Sequence, residues 1–145
     1  MAAAKDWRTE GVKIVRAAAI KAGMTGPGGT GRVTVFDFLG TGGEKTWVGM
    51  VTLPPAISTG LHHHGRHELA VYVVEGRSEI RWGERLEYAA IIEPGDFAYF
   101  PPEVPHQERN IDDERTLTFL VARSDNERIA VPIPGEIAEA PETVC

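Results

Sequence analysis

Beyond residue 32 the chain is written in short runs where apolar and polar positions alternate, the period of a half-buried β-strand. Residues 33–38 alternate as Val-Thr-Val-Phe-Asp-Phe and predict a strand, which Gly40-Thr41-Gly42-Gly43 turns back. Residues 46–53 predict a second strand, closed by Pro54-Pro55. The apolar run Leu69–Val74 stops at Glu75-Gly76, and residues 77–82 continue beyond that turn. Residues 88–92 lead into Glu93-Pro94-Gly95-Asp96, and residues 97–100 are cut off by Pro101-Pro102. A further strand begins near His106, and residues 116–122 form the last strong run. Short strands at regular spacing predict an all-β sandwich or barrel.

The first 32 residues read differently. Residues 1–11 predict a loosely held tail, Val12-Lys13-Ile14-Val15 an edge strand, and Arg16 to Ala22 one or two helical turns ended by Gly23. Residues 25–31 are glycine-rich but lack a following Gly-Lys-Ser/Thr, so they predict a surface loop and not a phosphate cradle. The stretch after Ser124 is rich in proline and glutamate and is expected to lie along the surface. No internal repeat and no strongly amphipathic helix stands out.

Composition narrows the class. With 145 residues there is room for one domain, expected over 1–145: a barrel core of about 33–122, an N-terminal arm 1–32 and a C-terminal tail 123–145. Fifteen basic against 21 acidic residues give a net charge of -6 with no basic run, which argues against nucleic acid or an anionic membrane as partner. The one cysteine, Cys145, allows no intrachain disulfide. The N-terminus turns charged at Lys5-Asp6 and no apolar stretch could span a bilayer, so a cytoplasmic protein is expected.

The chemistry gathers in one place. All five histidines lie at positions 62, 63, 64, 67 and 106. His62 and His64, two apart, share a face of an extended strand, and Glu68 keeps the same parity if the strand stays regular. Two imidazoles and a carboxylate on one side make a partial metal shell, and His106 is the expected fourth ligand. His67 is the rival to Glu68 for the third position, because a one-residue slip reverses a side chain's face. His63 points away from its neighbours.

Two motifs carry a resemblance. Gly60, His62, His64, Glu68 and Gly76 form the first, and Gly95, Pro101, His106 and Asn110 the second, with 77–94 between them. In this the chain resembles the cupin superfamily, although Glu103 stands where the second motif has a glycine. The interval from Glu68 to Gly76 is one residue longer than the family's usual six, which predicts a β-bulge near Leu69-Ala70. The resemblance implies a double-stranded β-helix, or jelly roll, with His62, His64, Glu68 and His106 around a divalent transition metal. Mn(II) or Fe(II) come first, with Ni, Co or Zn as alternatives.

Parity offers Trp47, Met50, Tyr72, Trp82 and Tyr99 as a substrate-pocket lining, while Arg81 and Arg109 are read as surface residues. No nucleophile arrangement is visible, and catalytic residues are not assigned. The expected function is a metal-dependent enzyme, dioxygenase- or decarboxylase-like, on a small oxygen-chelating organic substrate. A non-catalytic ligand-binding or sensing cupin and a sugar isomerase-type cupin are the alternatives. Exposed sheet edges predict a homodimer.

Overall fold

A computed structural model describes residues 3–24, 31–125, 130–135 and 137–145. The loop expected over 25–31 lies outside the described residues except for Gly31, which opens β1 (Gly31–Phe36). The strands that follow are β2 (Trp47–Leu53), β3 (His62–His63), β4 (Leu69–Glu75), β5 (Ser78–Trp82) and β6 (Tyr88–Ile92). After them come β7 (Phe97–Phe100), β8 (His106–Asn110), β9 (Leu117–Arg123), β10 (Val131–Pro132) and β11 (Glu142–Thr143). They form two sheets, ordered β1-β2-β9-β4-β7 and β10-β3-β8-β5-β6-β11. Pairing is antiparallel except where β11 runs parallel to β6. Consecutive strands repeatedly swap sheets, the signature of a jelly roll.

Alternation along the strands decides what lies between the sheets. On β9 every second residue, Leu117, Phe119, Val121 and Arg123, is buried. Val51 and Leu53 of β2, Val71 and Val73 of β4, and Ile80 from the other sheet complete one apolar cluster with Phe100. Each such buried side chain contributes about 1.5–3 kcal/mol relative to exposure. Two devices set the loops. Gly76 turns β4 into β5 at φ +83, where a Cβ would fall 2.6 Å from the Thr116 carbonyl oxygen, so only glycine fits. Asn110, fully buried, places its amide nitrogen within 3.1 Å of the carbonyls of Leu53, Pro54 and Arg115. Its side-chain oxygen accepts from the Asp112 N–H at 2.9 Å, which ties the end of β2 to the β8–β9 turn.

Three expectations need correction. Val12–Val15 is not a strand: Val12 and Ile14 are 90% and 65% exposed, so no neighbouring surface rewards extension there. The turn after β1 contains a short helix, α3 (Phe38–Thr41), because the Asp37 carboxylate accepts from the Gly40 N–H and caps it. It follows the N-terminal helices α1 (Trp7–Glu10) and α2 (Ala17–Gly23). The register shift in β4 lies between Val73 and Glu75, not at Leu69-Ala70, where pairing with β7 and β9 runs without interruption. Among the described residues no helix is long and apolar enough to cross a membrane.

Candidate metal centre

His62 sits on β3 directly across from His106, the first residue of β8. Residues directly opposite in an antiparallel pair project to the same face, so both imidazoles point between the sheets. His64 follows two residues after His62 and keeps its side. The ring centroids of the three lie 4.8, 4.5 and 5.1 Å apart, close to an equilateral triangle. One nitrogen from each ring lies within 4.8 Å of the other two. The Nε2 atoms of His62 and His64 are 3.1 Å apart. Two ligands about 2.1 Å from one ion and at right angles to each other stand about 3.0 Å apart, so the spacing fits a shared cation.

The backbone selects the tautomers. His62 Nδ1–H donates to the Gly60 carbonyl at 2.6 Å, and His106 Nδ1–H donates to the Val104 carbonyl at 3.0 Å. A carbonyl can only accept, so Nδ1 carries the proton in both rings and Nε2 presents a lone pair inward. Burial holds the His62 imidazolium form below its ordinary value against the Gly60 bond, with Arg32 and His63 adding to the shift. The same cause pushes His106 down to about 3. Both rings are therefore neutral at pH 7, the form that binds a metal.

The carboxylate expected at Glu68 is not part of this group. The Gly60–Val74 stretch is not one strand: Gly65, at φ +58, bends the chain, and the His67 N–H bonds back to the His64 carbonyl at 3.2 Å. The turn carries the chain from one sheet to the other, so strand parity does not survive from His64 to Glu68. Glu68 emerges on the outer face, exposed, where its carboxylate accepts from the Tyr99 hydroxyl. His67 is buried at 1% exposure but does not join the three nitrogens either. The inward position falls to Leu69, which lines the histidine cavity. His63 accepts from the Gly65 N–H at 3.0 Å through Nδ1.

Of the expected pocket residues, only Trp47 lines this cavity of about 300 Å³. Met50 has the opposite parity to the inward Val51. Tyr72 stacks on Phe97 at 4.7 Å, on the same outer side of β4 as Glu68. Tyr99 is 62% exposed, and Trp82 lines a separate apolar cavity. Arg81 pairs with Glu79 at 3.2 Å, and Arg109 is exposed. Sequence reasoning missed Arg32, Glu108 and Arg123, which all line the cavity. Glu108 was within reach, since it lies two residues after His106 on the same face of β8. Burial pushes its carboxyl up to about 7, opposed by Arg32.

Two facing sheets in jelly-roll order around converging imidazoles define a double-stranded β-helix with a site suited to a divalent metal. The cupin domain model matches residues 49–123, and the chain belongs to the cupin family. A cupin 2 domain-containing protein from Halorhodospira halophila superposes with a TM-score of 0.63 at 24% identity, over 73% of this chain and 70% of that one. An uncharacterized conserved protein with a double-stranded β-helix domain from Klebsiella pneumoniae gives 0.68 at 16% identity, over 86% and 99%. The oxalate decarboxylase of Bacillus subtilis gives 0.63 at 20% identity, over 71% of this chain but 28% of the enzyme. At these identities the likeness concerns the fold. No curated protein matches the sequence.

Proposed function

We propose that the protein is a mononuclear metal-dependent enzyme, dioxygenase- or decarboxylase-like, acting on a small organic substrate that chelates through oxygen. The observation that carries this reading is the convergence of three imidazoles, two of them set by backbone carbonyls to present Nε2. His62, His64 and His106 would hold Mn(II) or Fe(II), since three nitrogens on one side of an octahedral ion leave its other positions open. The bound ion would supply Lewis-acid polarisation of a substrate oxygen.

The chain's own residues do the rest. Leu69, Val51, Phe119 and Val121 exclude water from the wall opposite the histidines, which strengthens electrostatic contacts inside the cavity. Phe100 packs on the His106 ring at 4.6 Å and holds it in place. The decarboxylase reading takes its support from the shared fold with the Bacillus subtilis oxalate decarboxylase. The test is elemental analysis of the protein as isolated, followed by oxygen-uptake and carbon dioxide-release assays of Fe(II)- and Mn(II)-loaded protein with small hydroxy and dicarboxylic acids. Turnover that disappears in His106→Ala supports the proposal. Firmly held metal with no turnover would instead make the protein a binder, and absence of metal would overturn both.

A further inference from the structure

Strand β8 turns three polar side chains inward, His106, Glu108 and Asn110, and two of them already have their tasks. His106 Nδ1–H donates to the Val104 carbonyl, which leaves Nε2 for a metal. Asn110 spends its amide on four backbone partners. Glu108 lies between them, 8% exposed, and its carboxyl borders the histidine cavity without a hydrogen bond to any described residue. Arg32 acts on it through charge, from an exposed position. The Glu108 backbone is held on both sides. Its N–H donates to the Thr59 hydroxyl at 3.0 Å, its carbonyl accepts from the Thr59 N–H at 2.8 Å, and Ile80 of β5 pairs with it from the other flank.

This carboxyl stands apart from the three converging nitrogens. His62 and His106 face each other in an antiparallel pair, so His64 and Glu108 lie on opposite sides of them. Alternate residues of a strand are about 6.8 Å apart, so the carboxyl stands one step along β8 from the histidine trio, on the same cavity. One or two carbons of a chelated ligand cover that step. A buried acceptor without a partner costs about 1–3 kcal/mol, and such a group in a cavity calls for a ligand to satisfy it. A carboxyl keeps an acceptor oxygen whether ionised or protonated, so what it requires is a donor in either state. We propose that Glu108 accepts a hydrogen bond from the substrate, which carries a hydroxyl or amino group one or two carbons from its metal-chelating head. The inference rests on reading the histidine trio as a metal site, and it names the substrate class for that site.

Hydroxamates of matched shape test this. Propanohydroxamate is compared with 2-hydroxyacetohydroxamate, and butanohydroxamate with 3-hydroxypropanohydroxamate and 3-aminopropanohydroxamate. Each is titrated calorimetrically into Co(II)-loaded wild type and Glu108→Met, which keeps the length of the side chain. Exchanging a methyl for a polar group loses affinity in an apolar surrounding, so a gain has to come from a polar contact. In wild type at least one donor-bearing probe should bind about tenfold or more tightly than its alkyl counterpart, the range of one strong hydrogen bond. In Glu108→Met that ratio should fall to one or below, while the alkyl probes bind both proteins alike. Equal binding of donor and alkyl probes by wild type, or a preference that survives Glu108→Met, would overturn the inference while leaving the metal site standing. Loss of Co(II) from Glu108→Met would make Glu108 a ligand of the ion and overturn the inference too. Failure of the wild type to take up Co(II) would overturn the metal reading and this inference with it. Should Glu108→Met fail to fold, Glu108→Leu takes its place.

Discussion

The roll contains two cavities of nearly equal size and opposite chemistry. The histidine cavity, about 300 Å³, gathers three imidazoles, two guanidinia and one carboxyl. The other, about 330 Å³, lies among Ile80, Trp82, Ile92, Phe97, Phe100 and Val104, with no charged side chain among its described lining residues. Phe100 is the partition, since it lines the second cavity and packs on His106 of the first. Trp82 and His106 are direct neighbours across β5 and β8, yet they serve different cavities. Volume therefore does not mark the site. One aromatic layer separates a place where titratable groups converge from one walled mainly by apolar side chains, with Tyr99 and Cys145 also among its lining residues.

The most drastic way to challenge this contrast is Leu69→Glu, which puts a carboxylate on the histidine side of the partition. Without metal, loss of the buried leucine packing should cost about 2–5 kcal/mol in denaturant titrations. Added Mn(II) should recover most of it, giving a larger metal-induced thermal shift than in wild type. An unchanged metal-free stability would show that position 69 does not face inward.

His106→Ala comes next. Loss of groups that merely orient a ligand weakens metal binding about 10–100-fold, so removing a ligand should cost about 100-fold or more by calorimetry. Ile92→Val, in the apolar cavity, should leave metal affinity unchanged while costing about 0.5–1.5 kcal/mol of stability. Similar losses of affinity in the two variants would erase the distinction between the cavities.

A smaller effect follows from acid. His106, held at about 3 in the fold, takes up its proton first when unfolded, so stability is lost as pH falls below about 6.5. Glu108 has the opposite sign: raised from 4.5 to about 7, it favours the fold at low pH and gives that up as pH rises through 7. Between pH 7.5 and 5 Glu108 opposes His106 and His62, both lowered by burial, in metal-free wild type. Glu108→Gln removes that opposition, so its melting temperature should fall more steeply on acidification than that of wild type. The difference should be on the order of 2 kcal/mol, or several degrees. A parallel pH response in both proteins would refute the opposition.

Glu68→Ala should do least. It removes an exposed contact with Tyr99, within about 0.5 kcal/mol, and metal affinity should not move. A tenfold loss of metal would return Glu68 to the site.

The jelly roll was legible because its strands alternate cleanly and glycine or proline marks nearly every turn, as at Gly76, Gly95 and Pro101-Pro102. His62, His64 and His106 could be grouped because the chain has five histidines in all and keeps them in two stretches. Glu68 was misplaced because parity holds only within a continuous strand, and the turn at Gly65 resets it. Counting the family's six residues back from Gly76 lands on Leu69, a hint that three histidines stand without a carboxylate. Arg32 and Arg123 gave no sequence signal. Their place at the cavity comes from pairing with Val51 and Trp47, and register between distant strands is not written locally.

The short β10 closes one side of the histidine cavity. Val131 and Pro132 pair with His63 and His62, the Ile133 N–H bonds to the Leu61 carbonyl at 3.2 Å, and Ala130 and Pro132 line the space within. The segment that carries His62 is thus held on its outer edge by residues 131–133. A ligand that fills the cavity and touches Ala130 and Pro132 would favour docking of that edge. Amide exchange at Ile133 should slow when the cavity is filled, so this one backbone proton reports occupancy from outside the cavity.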